Sequence, residues 1–272
     1  LLWRVRDVRR PWLRSAGVPI GFLLATSAVL AAAVLSVFQP FASLMRNHRE
    51  LRYLITPANL LWSAARVAAT ETSGAAQPRR AIGPDAAPGP SWAARRRPLV
   101  LVLVVGETAR AANWGLNGYA RQTTPRLAAL PVVNFPGVQA CGTNTEVSLP
   151  CMFAPVGRRD YDEGRIRGQE SLLHLLARAG VAVHWRDNQS GCKGVCDGLP
   201  RDEVSSLNAP GLCKGGRCLD AGLIGDLDRR LDSARGTQLW VLHMLGNHGP
   251  SYFRRYPEAF AQFRPDCRED DL

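Results

Sequence analysis

An α/β domain with a mostly parallel sheet flanked by helices, preceded by one transmembrane helix, is the fold this sequence predicts, and three observations carry the expectation. A 21-residue apolar run extends from Val18 to Phe38. Strand-like apolar segments at 99–105, 181–185 and 239–245 alternate with helical patterns at 168–180 and 219–234. Polar residues follow directly on each strand, at the carboxyl ends where parallel sheets collect their ligands.

Of 272 residues, 46% are hydrophobic, 21% charged and 7% aromatic, which excludes a disordered polyelectrolyte, a collagen-like repeat and a small disulfide-only scaffold. The formal charge is +11, but only Lys193 and Lys214 are lysines, and the arginines are dispersed without an aromatic stacking platform. Nucleic acid is therefore not the expected partner.

The apolar run comes first along the chain. No charge occurs between Arg14 and Arg46, and the run would be about 32 Å long as a helix at 1.5 Å per residue, enough to cross a bilayer. Arg4, Arg6, Arg9, Arg10 and Arg14 precede it against Asp7, so the positive-inside rule places residues 1–14 in the cytoplasm and everything after Phe38 outside. A cleaved signal peptide is the alternative, but the small residues Ala28 to Ala33 lie mid-run rather than at its end. Phe41, Leu44, Met45, Leu51, Leu54 and Ile55 then recur at near-helical spacing among charges, as either an amphipathic surface helix or a packed connector requires. Thr70 to Pro98 reads as a linker. The expected organisation is 1–38 cytoplasmic segment and span, 39–98 connector and linker, and 99–272 an exported domain.

In an exported domain the cysteines read as disulfide partners. Cys141 and Cys151, Cys192 and Cys196, and Cys213 and Cys218 are spaced for local pairing. A structural zinc on Cys192, Cys196, Cys213 and Cys218 is the competing reading, and topology favours the disulfides. Cys267 is left over, which with the absence of an initial Met leads us to expect a piece of a longer chain.

The first strand, Leu99 to Val105, is a continuous apolar run and is expected to be buried on both faces. Thr124 to Leu130 reads as a short helix, Gly168 to Gly180 as a helix stopped by glycine, and Leu219 to Ala234 as an amphipathic helix. Glu107 follows the first strand, Asp187 to Ser190 the second, and His248 the third. A further helix begins near Thr145, capped by Asn144 or by Thr145 itself, with backbone N–H groups able to hold an anion.

Together, G-E-T-A-R at 106–110, C-G-T-N-T-E-V-S-L-P-C-M-F at 141–153, D-N-Q-S-G-C-K-G-V-C at 187–196 and H-M-L-G-N-H-G-P at 243–250 resemble the phosphoethanolamine transferases that modify lipid A. N-H-R-E-L-R-Y-L-I at 47–55 resembles the connector of the same family. The resemblance implies an inner-membrane protein whose periplasmic domain has the alkaline phosphatase and sulfatase fold. It implies zinc as cofactor, phosphatidylethanolamine and lipid A as lipid substrates, Glu107 as a zinc ligand, and Thr145 as both nucleophile and zinc ligand. Asn188, Ser190, Lys193 and His248 resemble the groups around the phosphate. His243 is placed with them, although it could equally cap a core strand, while His174 and His184 read as structural. The family draws its remaining zinc ligands from an Asp-His pair in a downstream segment absent from these residues, so the chain is expected to hold half of the metal site and to be inactive by itself. A phosphatase or sulfatase of the same superfamily, and a noncatalytic anchored module, are the alternatives.

Overall fold

The computed structural model describes residues 12–38, 42, 59–64, 78–207, 210–214, 216–249, 251–266 and 268. The chain divides into two units, Leu1–Ala68 with Glu269–Leu272, and Ala69–Arg268.

In the first unit, helix α1 runs from Trp12 to Ser36. Its Gly17–Ser36 stretch has a mean hydropathy of 2.3 and is entirely unburied, the surface a helix offers to lipid. Two hydroxyls in this stretch turn back onto the helix, Thr26 Oγ1 donating to Phe22 O and Ser36 Oγ to Ala33 O, both at 2.8 Å. They are thereby satisfied without water. Residues 59–64 are also helical. The amphipathic pattern from Phe41 to Ile55, the family-like connector at 47–55, the arginine-rich start at 1–11 and Cys267 lie outside the described residues.

The second unit is built on a four-stranded parallel sheet of strands β1 (Leu99–Val105), β2 (Ala182–Asp187), β3 (Arg201–Glu203) and β6 (Thr237–His243), in the order β1-β6-β2-β3. A small antiparallel ribbon of β4 (Cys213–Lys214) and β5 (Arg217–Cys218) lies between β3 and β6 in sequence. Four helices concern the site: α2 (Thr145–Met152), α3 (Glu163–Arg167), α4 (Leu172–Arg178) and α5 (Leu227–Asp232).

Alternation of side chains along the strands sends Leu239 and Val241 of β6 to one face, with Val183, Trp185, Leu149, Phe153 and Leu173, and Trp240 and Leu242 to the other, with Val204, Leu223 and Leu227. Both faces of β6 and β2 are thus covered, as parallel strands require. β1 departs from the expected double burial. Among the described residues it is an edge strand, and its mid-strand residues Leu101 to Val104, which alternate between the two faces, are exposed.

The helical pattern at 219–234 is not one helix. A 3-10 turn at Asp220–Ile224 precedes α5, and Gly222 sits so tightly on Val204 that a Cβ there would be 2.3 Å from Val204 Cγ1. Part of the segment expected as linker is packed onto this unit. Arg80 bridges to Gln169, Arg178 donates to Ile82 O at 2.8 Å, and Arg79 binds Gly194 O and the Asp197 carboxylate.

Register sets the site. Val105, His243 and Asp187 are paired across β1, β6 and β2, so the three strands end at one level and release Glu107, the 244–248 loop and Asn188 side by side.

Candidate active site

β1 delivers Glu107, whose Oε1 accepts from Thr108 Oγ1 at 2.6 Å and whose Oε2 accepts from Thr145 Oγ1 at 2.9 Å. Thr108 has φ 52°, where β-branched residues are rare. Thr145 opens α2. Its helix is capped by Asn144, whose backbone is extended and whose side-chain Oδ1 accepts from Val147 N at 3.0 Å, and this leaves the Thr145 hydroxyl free to meet the carboxylate. Cys151, at the other end of α2, is bonded to Cys141, which closes the loop carrying the C-G-T-N-T motif onto its own helix.

One residue further, Glu146 pairs with Lys193 at 3.1 Å. The hydrogen bond from Lys193 is the main reason its carboxyl lies below the usual range, burial opposes, and Arg167 adds to the lowering. Lys193 Nζ also donates to Ser190 O and Oγ at 3.0 and 2.9 Å. The motif that begins at Asp187 is therefore tied to the start of α2. Cys192 and Cys196 are bonded to each other inside it, and Cys213 to Cys218 in the β4-β5 ribbon, so those four sulfurs are not free to hold a structural zinc.

Asp187 ends β2 almost wholly buried. Burial pushes its carboxyl up, but hydrogen bonds from His243, Gly191 N–H and the Trp185 indole outweigh it and hold the group below the ordinary value. The His243 Nδ1 to Asp187 Oδ1 distance is 2.7 Å. His243 itself is 0% exposed, packs edge-on against Trp185, and leaves Nε2 without a partner among the described residues. His243 lies behind the strand ends rather than beside Asn188 and His248. It faces the core and supports the Asp187 turn.

Asn188 and His248 lie at the front. Asn188 Nδ2 donates to Asp220 Oδ1 at 2.8 Å and to Cys218 O at 3.0 Å, while its backbone N–H donates to His243 O. His248 is half-buried, and its Nδ1 contacts Gly249 O at 2.8 Å. A carbonyl can only accept, so in the neutral ring Nδ1 carries the hydrogen and Nε2 is the basic nitrogen. The loop before His248 lies directly on Glu107: Asn247 N donates to Glu107 O at 3.0 Å, and Gly246, at φ 53°, could not carry a Cβ without placing it 2.5 Å from that oxygen.

The structure thus connects Glu107 to Thr145, Lys193 to Ser190, and Asn188 to the loop of His248, and leaves His243 behind them. His174 completes the Ser171 capping box of α4, and His184 pairs with Asp202 at 2.9 Å, both structural roles. Asp187 is marked in the sequence by its position at a strand end, although its bond to His243 is not, whereas sequence reasoning missed Asp220, which sits inside a helical pattern with nothing in the sequence to mark it.

The Glu107 carboxylate and Thr145 hydroxyl, 2.9 Å apart, suit two positions of a zinc shell. Among the described residues no group of three or more His, Cys, Asp or Glu converges to hold an ion.

A family model described as sulfatase matches residues 100–272, and one described as phosphoethanolamine transferase EptA/EptB matches residues 1–72. Phosphoethanolamine transferase EptA of Escherichia coli strain K12 is 39% identical over 268 residues, covering 97% of this chain and 47% of that protein. The integral membrane lipooligosaccharide phosphoethanolamine transferase A of Neisseria meningitidis is 42% identical, with a TM-score of 0.69 over 96% of this chain and 48% of its own. The C-terminal periplasmic domain of EptC from Escherichia coli, solved in complex with zinc, shares the fold at 22% identity and a TM-score of 0.52, covering 64% of this chain and 50% of its own. The chain spans about half the length of the curated relatives it matches.

Proposed function

Because the chain belongs to the EptA family of phosphoethanolamine transferases within the sulfatase superfamily, we propose that these residues form part of an inner-membrane enzyme that moves phosphoethanolamine from phosphatidylethanolamine to lipid A. Its catalytic domain faces the periplasm, and α1 holds that domain at the lipid surface where both substrates reside. The observation that carries the proposal is the Thr145 hydroxyl donating to Glu107 at the first residue of α2.

In this reading Thr145 Oγ attacks the phosphorus of phosphatidylethanolamine. The bond to the glycerol oxygen breaks, diacylglycerol leaves with a proton, and phosphoethanolamine remains esterified to Thr145. A phosphate oxygen of lipid A then attacks the same phosphorus and frees the Thr145 hydroxyl. Glu107 orients that hydroxyl and is the nearest acceptor for its proton. The free N–H groups at the start of α2 favour the alkoxide and the anionic phosphorus centre. Lys193, held by Ser190, adds fixed positive charge, and Asn188 and His248 complete the polar lining at the strand ends. Zinc, held through Glu107 and Thr145 with further ligands from outside the described residues, would lower the pKa of the Thr145 hydroxyl.

The test is mass spectrometry of the full-length gene product incubated with phosphatidylethanolamine. A phosphoethanolamine adduct on Thr145 that is discharged by lipid A is expected. Discharge only to water, with no lipid A product, would refute transfer and indicate a hydrolase.

A further inference from the structure

Among the described residues, Asp220 is the side chain that touches both arms of the candidate site reaching out from β2 and β6. Its Oδ1 accepts from Asn188 Nδ2 at 2.8 Å and from Leu245 N at 2.7 Å, and its Oδ2 accepts from Gly246 N at 2.9 Å. The carboxylate therefore gathers three donors, two of them backbone N–H groups of the loop that leads into His248. Among the described residues Leu245 N and Gly246 N donate to no other group. The acid is delivered from the far side of the sheet. It lies two residues beyond Cys218, which is bonded to Cys213 and whose carbonyl accepts from the same Asn188 amide.

We propose that Asp220 is a positioning residue for the transfer reaction: it holds the Asn188 amide and the 245–248 loop at a fixed separation, and so sets where the His248 imidazole stands relative to Thr145 and a phosphate ester bound there. The proposal rests on the transferase reading above. Its chemistry is that of an acceptor-only group. A carboxylate takes three N–H donors without offering one of its own, whereas an asparagine of the same shape must turn its own NH2 against Gly246 N–H, or against the Asn188 amide and Leu245 N–H. Two donors that face each other separate, and the loop that lies on Glu107 through Asn247 moves with them.

The experiment compares Asp220→Asn with Asp226→Asn in the full-length membrane protein. The second substitution removes a carboxylate that binds Arg186 and Arg230 on the opposite side and touches none of the site residues, so it serves as a stability control. For Asp220→Asn, hydrogen exchange of the 244–249 peptide is expected to rise at least tenfold while the β6 peptide is unchanged, and kcat for transfer is expected to fall at least tenfold. Asp220→Glu, which restores the carboxylate, is expected to recover part of kcat. For Asp226→Asn, kcat is expected to stay within a factor of two. Unchanged exchange at 244–249, or an equal loss of kcat in both variants, overturns the proposal. Failure of the transferase reading is seen separately, as an unsubstituted protein that forms no Thr145 adduct, and exchange at 244–249 then decides whether Asp220 holds the loop.

Discussion

Thr145 and Asn144 are adjacent, and the structure assigns them opposite burdens. Replacing Thr145 by Ala removes one half-buried hydrogen bond to the Glu107 carboxylate, at 2.9 Å. A hydrogen bond to a charged group of this kind contributes about 1 kcal/mol where water can take its place, and the better helix propensity of Ala returns about half of that. The net loss is about 0.5 kcal/mol. Replacing Asn144 by Ala removes the acceptor of Val147 N–H at the start of α2, a cap that contributes about 1 kcal/mol, or roughly 2–4 °C in Tm for a domain of this size. The order for transfer is reversed. Thr145→Ala removes the attacking oxygen and is expected to lower transfer at least about a thousandfold, equivalent to about 4 kcal/mol of barrier, whereas Asn144→Ala leaves the oxygen in place. Thermal melts of the two variants beside a radiolabelled phosphoethanolamine assay read both scales. If Thr145→Ala keeps more than a tenth of the activity, if the adduct is found on Thr143, or if Thr145→Ala melts well below Asn144→Ala, the assignment of nucleophile and cap is wrong.

Nonreducing peptide maps of protein taken from membranes are expected to show Cys141 joined to Cys151, Cys192 to Cys196 and Cys213 to Cys218, and six free thiols would refute both the pairing and the exported orientation. Asp226 is held down to about 2: burial alone would raise it, and Arg230 and Arg186 more than offset that. Since its folded pKa lies below its unfolded value, its contribution of about 2 kcal/mol at most is present above pH of about 4 and lost as pH falls through about 2. Asp226→Asn should therefore flatten the fall in urea midpoint across that range, and an unchanged slope would refute the linkage. Residues 1–272 by themselves are expected to bind zinc weakly and to transfer nothing, because Glu107 and Thr145 supply two donors where a catalytic zinc takes three; stoichiometric zinc with activity would show that the site is complete within them.

What could be read from the sequence was whatever left a local signature. The apolar run of β1, the sudden polarity at Glu107 and the Asn144-Thr145 start of α2 are nearest-neighbour patterns, and each was found within a residue or two. The two acids behind the site were not legible in the same way. Asp187 accepts from His243 across β2 and β6, and Asp220 accepts from Leu245 and Gly246 far along the chain, so their roles exist only once the strands are in register. The same holds for His243. Its motif is local, but that its side chain shares a face of β6 with Leu239 and Val241 and reaches Asp187 follows only from strand alternation and register. The helical pattern at 219–234 misled for a related reason. Periodicity does not register that Gly222 must press against Val204.

β1 has a consequence for how this protein behaves in bulk solution. Among the described residues no strand pairs with its outer side, a seven-residue, charge-free, Val- and Leu-rich edge with Leu101 60% and Val104 55% exposed. Such an edge is a template for another strand, and it lacks the lysines, prolines or bulges by which proteins discourage strand addition. The strand that presents Glu107 to Thr145 is therefore also the strand through which molecules of this chain would stick to one another. Self-association of residues 1–272 is expected to rise with concentration through β1.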